Sequence, residues 1–294
     1  MPTRYATLNL TEGDFGADGG NEADRDLLFA YLGFASRRVE EYCRRRFDMR
    51  IETRRYDAVG LHLLTPSTLD LDGAPSDGAP GEAGDLLALT ALVNGDGVSV
   101  ALENTMLWPY NAYPKTRIML PPGARWTWTT TPAAAIQVTG TWGFHREPVR
   151  AWRSAGVAVP AGGLAADATT LALSDVGAIR RGHTLQIDDE QLSVEGIAGE
   201  APTYTLILDR ALNGTAAAAH VAGAPIRFYV PEDTIQRATA RVAVWMYRQR
   251  DAPFDKVVTP LGEVVVPAGL PTDVRYMLSE GRFVRRRAGG VYAV

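Results

Sequence analysis

Four histidines, one cysteine and a few acidic runs are the residues of this chain that could carry chemistry. His62, His145, His183 and His220 stand far apart, and none has a second His or Cys at the spacing of a metal-ligand pair. Cys43 precedes a run of arginines that would favour its thiolate. It also falls at the edge of an apolar helical stripe, where a small packed residue is the expectation. Asp70-Leu71-Asp72-Gly73 begins like a calcium loop, but the next ligand position is Ala74, which has no side-chain oxygen. A solvated acidic loop is the better reading there. Asp188-Asp189-Glu190 could hold a cation, and a polar hairpin turn explains it equally well. Trp126 and Trp128 alternate onto one face of a strand, as a sugar-stacking surface would require, although such a face is more often core.

Phosphate loops of the form Gly-x-x-x-x-Gly-Lys, dinucleotide fingerprints and Gly-x-Ser-x-Gly elbows are absent from the sequence. With no acid–base pair at a recognisable spacing, the expectation is a protein that is not an enzyme and uses no cofactor or metal. Arginines cluster at Arg37-Arg38, Arg44-Arg45-Arg46, Arg54-Arg55, Arg180-Arg181 and Arg285-Arg286-Arg287, while Lys115 and Lys256 are the only lysines. Interleaved Tyr42, Phe47 and Tyr56 would suit a DNA-facing surface. The formal net charge of -4 argues against a main task of gripping phosphate backbones, which favours solvated or subunit-bridging charges. A single cysteine excludes an intrachain disulfide and points to a reducing compartment. No stretch nears the roughly 18 apolar residues of a membrane span, and Met-Pro-Thr-Arg-Tyr lacks a signal-peptide core.

Periodicity supplies the elements that would position these residues. Apolar residues three and four apart predict helices from about Glu22 to Arg46, from about Glu232 to Arg250, and from near Thr272. Between them the period changes to two. Leu86–Val93 and Val98–Leu102 flank the turn Asn94-Gly95-Asp96-Gly97, a strong hairpin signal. Arg125–Thr129 and Ala135–Phe144 read as further strands. Leu69–Asp85 reads as an exposed loop. A second β unit would use Thr169–Leu173, Thr184–Ile187, Gln191–Val194, Tyr204–Leu208 and Pro225–Tyr229, with Asp188-Asp189 at a tight turn.

The fold class expected is therefore α+β: a helical core formed from the N- and C-terminal helices, with large antiparallel β insertions. The matching domains are a discontinuous helical core of residues 1–50 and 230–294 with a C-terminal arm, a β-rich domain of 51–155, and a small inserted β module of 164–229.

Several strings in order resemble the head-tail connector adaptors of long-tailed bacteriophages. They are SRRVEEYCRRRF (36–47), RRYDAVG (54–60), LLALTALVNGDGVSV (86–100), LWPYNAYPKTRIML (107–120), IQVTGTWGF (136–144), PEDTIQRATARVAVWMYRQRDAP (231–253) and GLPTDVRYMLSEGRFVRRR (269–287). The run GHTLQIDDEQLSVEGI (182–197) with DRALNGTAAAAHVAGAPI (209–226) is similar to a small β module of phage virion proteins. The resemblance implies a structural virion protein that forms a ring of about twelve copies beneath the portal. Its partners would be the portal protein, a neck, stopper or tail-tube protein, other copies of itself, and passing DNA bound without sequence specificity, with no membrane. Its place would be the virion's head-tail interface, after assembly in the host cytoplasm. In such adaptors the C-terminal segment reaches the portal. Arg282, Arg285, Arg286 and Arg287 would then meet acidic or carbonyl groups of portal subunits, with the apolar tip around Tyr292 lodged between them. Another tail, baseplate or fibre-attachment protein, or a glycan-binding module, is the alternative.

Overall fold

The computed structural model of the chain describes residues 3–15, 21–72, 84–250 and 269–285. The chain divides into two compact units. One comprises Met1–Cys43, Arg153–Leu212 and Ala217–Phe283; the other comprises Arg44–Trp152, Asn213–Ala216 and Val284–Val294. In chain order come α1 (Leu8–Phe15), α2 (Glu22–Cys43), β1 (Arg50–Tyr56), β2 (Leu63–Thr65), β3 (Thr68–Asp70) and β4 (Leu86–Val93). Then follow β5 (Met106–Trp108), β6 (Arg117–Met119), β7 (Ile136–Trp142), β8 (Trp152–Ala158), β9 (Thr170–Leu173) and β10 (Thr184–Ile187). The last elements are β11 (Glu190–Glu200), β12 (Thr203–Asp209), β13 (Pro225–Tyr229), α3 (Asp233–Arg248) and α4 (Thr272–Glu280).

In the first unit, α2 starts where the Asn21 side chain accepts the Asp24 N–H at 3.0 Å, with Glu22 and Asp24 adding negative charge to the first turn. Leu28, Phe29, Leu32, Ala35, Val39 and Cys43 form its buried stripe, and α2 packs against α3. The unit's sheet has six strands in the order β8-β13-β10-β11-β12-β9. Inward-pointing Leu171, Leu173, Leu185, Ile187, Leu192, Val194, Leu206, Leu208 and Ile226 make its core. The β10–β11 turn is tight, pairing Ile187 with Glu190 and holding Asp188 at φ 50°. Helix and sheet residues meet through cations on a ring. The guanidinium groups of Arg4 and Arg181 each lie 4.0 Å from the Phe29 centroid, and they pair with Glu195 at 2.7 Å and Asp26 at 2.6 Å respectively.

The second unit carries a three-stranded sheet of order β1-β7-β4 and a four-stranded sheet of order β2-β3-β6-β5. Strand β7 alternates buried and half-buried residues along its whole length, so Ile136, Val138 and Trp142 enter a core with Tyr56, Leu69, Leu71, Leu86, Leu92, Ile118 and Trp126. Gly140 allows β4 to approach: a Cβ there would lie 2.2 Å from the Ala88 carbonyl oxygen. The Asn94–Gly97 turn forms, closed by Asn94 N–H to the Val98 carbonyl at 2.9 Å, with Gly97 at φ 83°. Arg125–Thr129 is not a strand. Trp126 is buried, its main-chain N–H donating to the Pro66 carbonyl at 2.9 Å, whereas Trp128 is exposed.

These sheets overturn the expected helical core with β insertions. Strand accounts for 32% of the structure and helix for 25%, in three antiparallel sheets of three, four and six strands. The reason is where the apolar area sits. Several strands have only three or four residues, but period-two side chains from many strands together build two hydrophobic clusters with no helical member.

Trp142 concentrates the second unit's packing. Its ring stacks on Tyr56 at 6.4 Å, receives the Arg54 guanidinium at 4.1 Å, and its indole N–H donates to the Glu52 carbonyl at 3.1 Å. We expect Trp142→Ala to cost roughly 3–5 kcal/mol in urea unfolding at unchanged slope. Trp142→Phe should cost clearly less, and equal losses in the two variants would show that ring packing is not the source.

Candidate functional site

Two clusters of charged side chains are built well enough to consider as sites. The first lies in the sheet unit at the β10–β11 turn. Glu190 is 1% exposed, and both of its oxygens are fully engaged. Arg210 donates to it twice, each at 2.7 Å, and the backbone N–H groups of Ala211 and Ala218 donate at 3.1 and 3.0 Å. His220, also buried, places Nε2 at 2.9 Å from Glu190 and Nδ1 at 2.8 Å from Asp188. The sequence shows His220 with no nearby ligand and leaves Asp188-Asp189-Glu190 open between a cation site and a hairpin turn. The fold brings them together across about thirty residues of chain, a separation at which spacing rules are silent.

The Asp-His-Glu geometry has the parts of a proton relay but not the properties. Burial works to raise the Glu190 carboxyl, and the Arg210, Ala218, His220 and Ala211 donors outweigh it, holding it at about 2. A carboxylate that acidic is a poor general base at neutral pH, and its enclosure leaves no face for a substrate. The cluster acts as a staple. Arg210 also donates to the carbonyls of Ala165, Ala168 and Ala218, so one ion pair fixes the connection from β12 to β13.

The second cluster lies in the other unit and includes Arg285 of the expected C-terminal arm; Arg282 belongs to the first unit. Arg282 is exposed at φ 57°, just beyond the end of α4. Arg285 reaches Asp72, with Nη2 3.1 Å from the carboxylate and 2.6 Å from the main-chain carbonyl. Arg286, Arg287 and Tyr292 lie outside the described residues. Burial raises the Asp72 carboxyl, with Arg285 the leading charge opposing it. Nearby Asp85 is 2% exposed, and no donor reaches either of its oxygens within hydrogen-bond geometry among the described residues. Arg45, held over the Phe144 ring at 4.5 Å, stands 3.4 Å away. Burial pushes Asp85 up to about 6 against the pull of Arg45.

Cys43 is fully buried on α2. The Asp72 N–H folds back to the Asp70 carboxylate at 3.2 Å, and among the described residues no group of three or more His, Cys, Asp or Glu could hold a metal ion. The aromatic surface lies elsewhere than on the Trp126–Trp128 pair. Trp108, at the end of β5, and Tyr110 and Tyr113, on the loop that follows, are exposed, and Lys115 braces that loop by donating to the carbonyls of Pro109 at 2.6 Å and Tyr110 at 3.0 Å. No protein-family model, curated protein or solved structure matches the chain.

The two acids should respond to pH with opposite sign. Glu190 has a lowered folded value, so it stabilises above its unfolded value of about 4.3, and that contribution fades as pH falls toward about 2. Glu190→Gln leaves Arg210 buried and half-paired, and should cost on the order of 3–5 kcal/mol at neutral pH. The gap to wild type should shrink as the pH falls through that window, and a constant gap would sink the assignment. Asp85 has a raised folded value, so its ionisation weakens the fold as pH climbs from about 4 through about 6. Asp85→Asn should therefore melt higher than wild type at neutral pH, with the advantage gone by about pH 4. A variant that melts lower at neutral pH would show that the Arg45 pairing outweighs the burial cost.

Proposed function

We propose that this chain is a structural protein of the tailed-phage virion, a head-tail connector adaptor that forms a ring beneath the portal. There it extends the DNA channel and docks the next neck or tail protein. The observation that carries the reading is the ordered run of adaptor-like strings from Ser36 to Arg287, which fall in chain order on α2, β1, β4, β5 with β6, β7, α3 and α4. Chemistry supports it from the surface side. A ring needs two different contact patches on every subunit. The helices expose large apolar residues that such patches favour: Phe34 of α2 is 60% exposed and Tyr276 of α4 is 66% exposed. The overall charge of -4 suits a channel through which DNA must slide without being held.

A tail or fibre-attachment protein, or a glycan-binding module, is the second reading, favoured by the braced aromatic loop with Trp108, Tyr110 and Tyr113. One experiment separates them. Negative-stain microscopy of the protein mixed with its phage's portal should show rings of about twelve subunits seated on the portal. Threefold trimers or isolated copies in reconstructed particles would overturn the adaptor assignment. Binding of cell-surface glycan, lost in Trp108→Ala and Tyr110→Ala, would favour the second reading.

A further inference from the structure

The arm arginines are the groups expected to meet carboxylates and carbonyls on the portal, and Arg285 already meets one of each within its own chain. Its guanidinium spans the Asp72 carboxylate and the Asp72 main-chain carbonyl, two acceptors on a residue 213 positions away. We propose that Asp72 is an internal clasp for the C-terminal arm, holding Arg285 until a partner's acceptors replace it. The proposal rests on the adaptor reading for the identity of that partner.

The composition of the contact suits a clasp better than a permanent tie. The Asp72 side chain is 45% exposed and that of Arg285 is 20% exposed, so water and incoming groups can reach both ends of the pair. Exposed ion pairs of this kind contribute little and exchange readily. The buried staple in the sheet unit shows the contrast: there Arg210 and Glu190 are 8% and 1% exposed and carry backbone donors as well. Both contacts run through one nitrogen, Nη2, so a partner carboxylate that takes two parallel N–H donors offers the guanidinium a geometry Asp72 does not. Asp85, buried near Arg45, adds negative charge that Asp72 feels from within the unit.

Hydrogen exchange on the full-length protein, read by mass spectrometry over peptides that contain Arg285, tests the clasp without any partner. Asp72→Lys, whose like charge repels Arg285 although the carbonyl remains, and Arg285→Ala should both raise exchange in those peptides about two- to fivefold, the range an exposed pair can impose, while the melting curve stays that of wild type. Unchanged exchange in both variants would refute the clasp. Binding to purified portal rings then divides the pair. Asp72→Lys, which repels Arg285 but keeps the docking arginine, should bind faster than wild type; Arg285→Ala, which removes the docking group, should bind more weakly. Equal binding by all three proteins would remove the clasp's role in docking. Raised exchange with no portal binding by any of them would leave the contact in place, overturn its role in docking, and sink the adaptor reading separately.

Discussion

A carboxylate taken out of water must gather donors for its oxygens or surrender its charge, and Glu190 meets that demand in full. Five donors converge on it from three places in the chain: Arg210 twice, the backbone of Ala211, the backbone of Ala218, and His220. Apolar alternation can tell β10, β11, β12 and β13 which face is inward, but it says nothing about how their connections should run. The ion pair supplies that instruction. It also makes the arrangement all-or-none, because removing either partner leaves the other charged and enclosed.

Elsewhere arginine works through its flat face. Arg4 and Arg181 lie over Phe29, Arg54 over Trp142, Arg45 over Phe144 and Arg117 over Trp108, all at 4.0 to 4.5 Å. A guanidinium can stack on a ring with one surface and hydrogen-bond with its edge, as Arg4 does to Glu195 and Arg54 to Glu52. An ammonium offers no such surface. The preference for arginine over lysine in this chain therefore has a structural use, whatever genome composition contributes.

Local pattern made some elements legible and non-local pairing hid the rest. The ranges of β4, β10 and β13 are those expected from alternation, and α2 begins at its Asn21 cap. Helix α1 escaped because its eight residues, LNLTEGDF, mix polar and apolar side chains without a clear stripe. Strand β8 escaped because Trp152–Ala158 interleaves Arg, Ser and Gly with its apolar residues. The alternation of Arg125–Thr129 misled, since its backbone bonds a loop and never joins a sheet. The dominance of sheet was hidden for a related reason: the three-residue strands β2, β3, β5 and β6 fall below the length at which periodicity speaks. Both charged clusters depend on long-range closure, His220 meeting Asp188 and Arg285 meeting Asp72, which no single window of sequence contains.

Lys115 carries a practical consequence for anyone mapping this protein in an assembly. It is one of only two lysines, it is 7% exposed, and its amine is committed to the carbonyls of Pro109 and Tyr110. Burial also lowers its basicity, yet the hydrogen bonds tie up the same hydrogens that an acylating reagent must displace. Amine-directed cross-linkers, the usual first choice for charting neighbours by mass spectrometry, will leave most of this chain silent. Carboxyl- or guanidinium-directed reagents match its surface far better, and silence in a lysine map would say nothing about which proteins touch it.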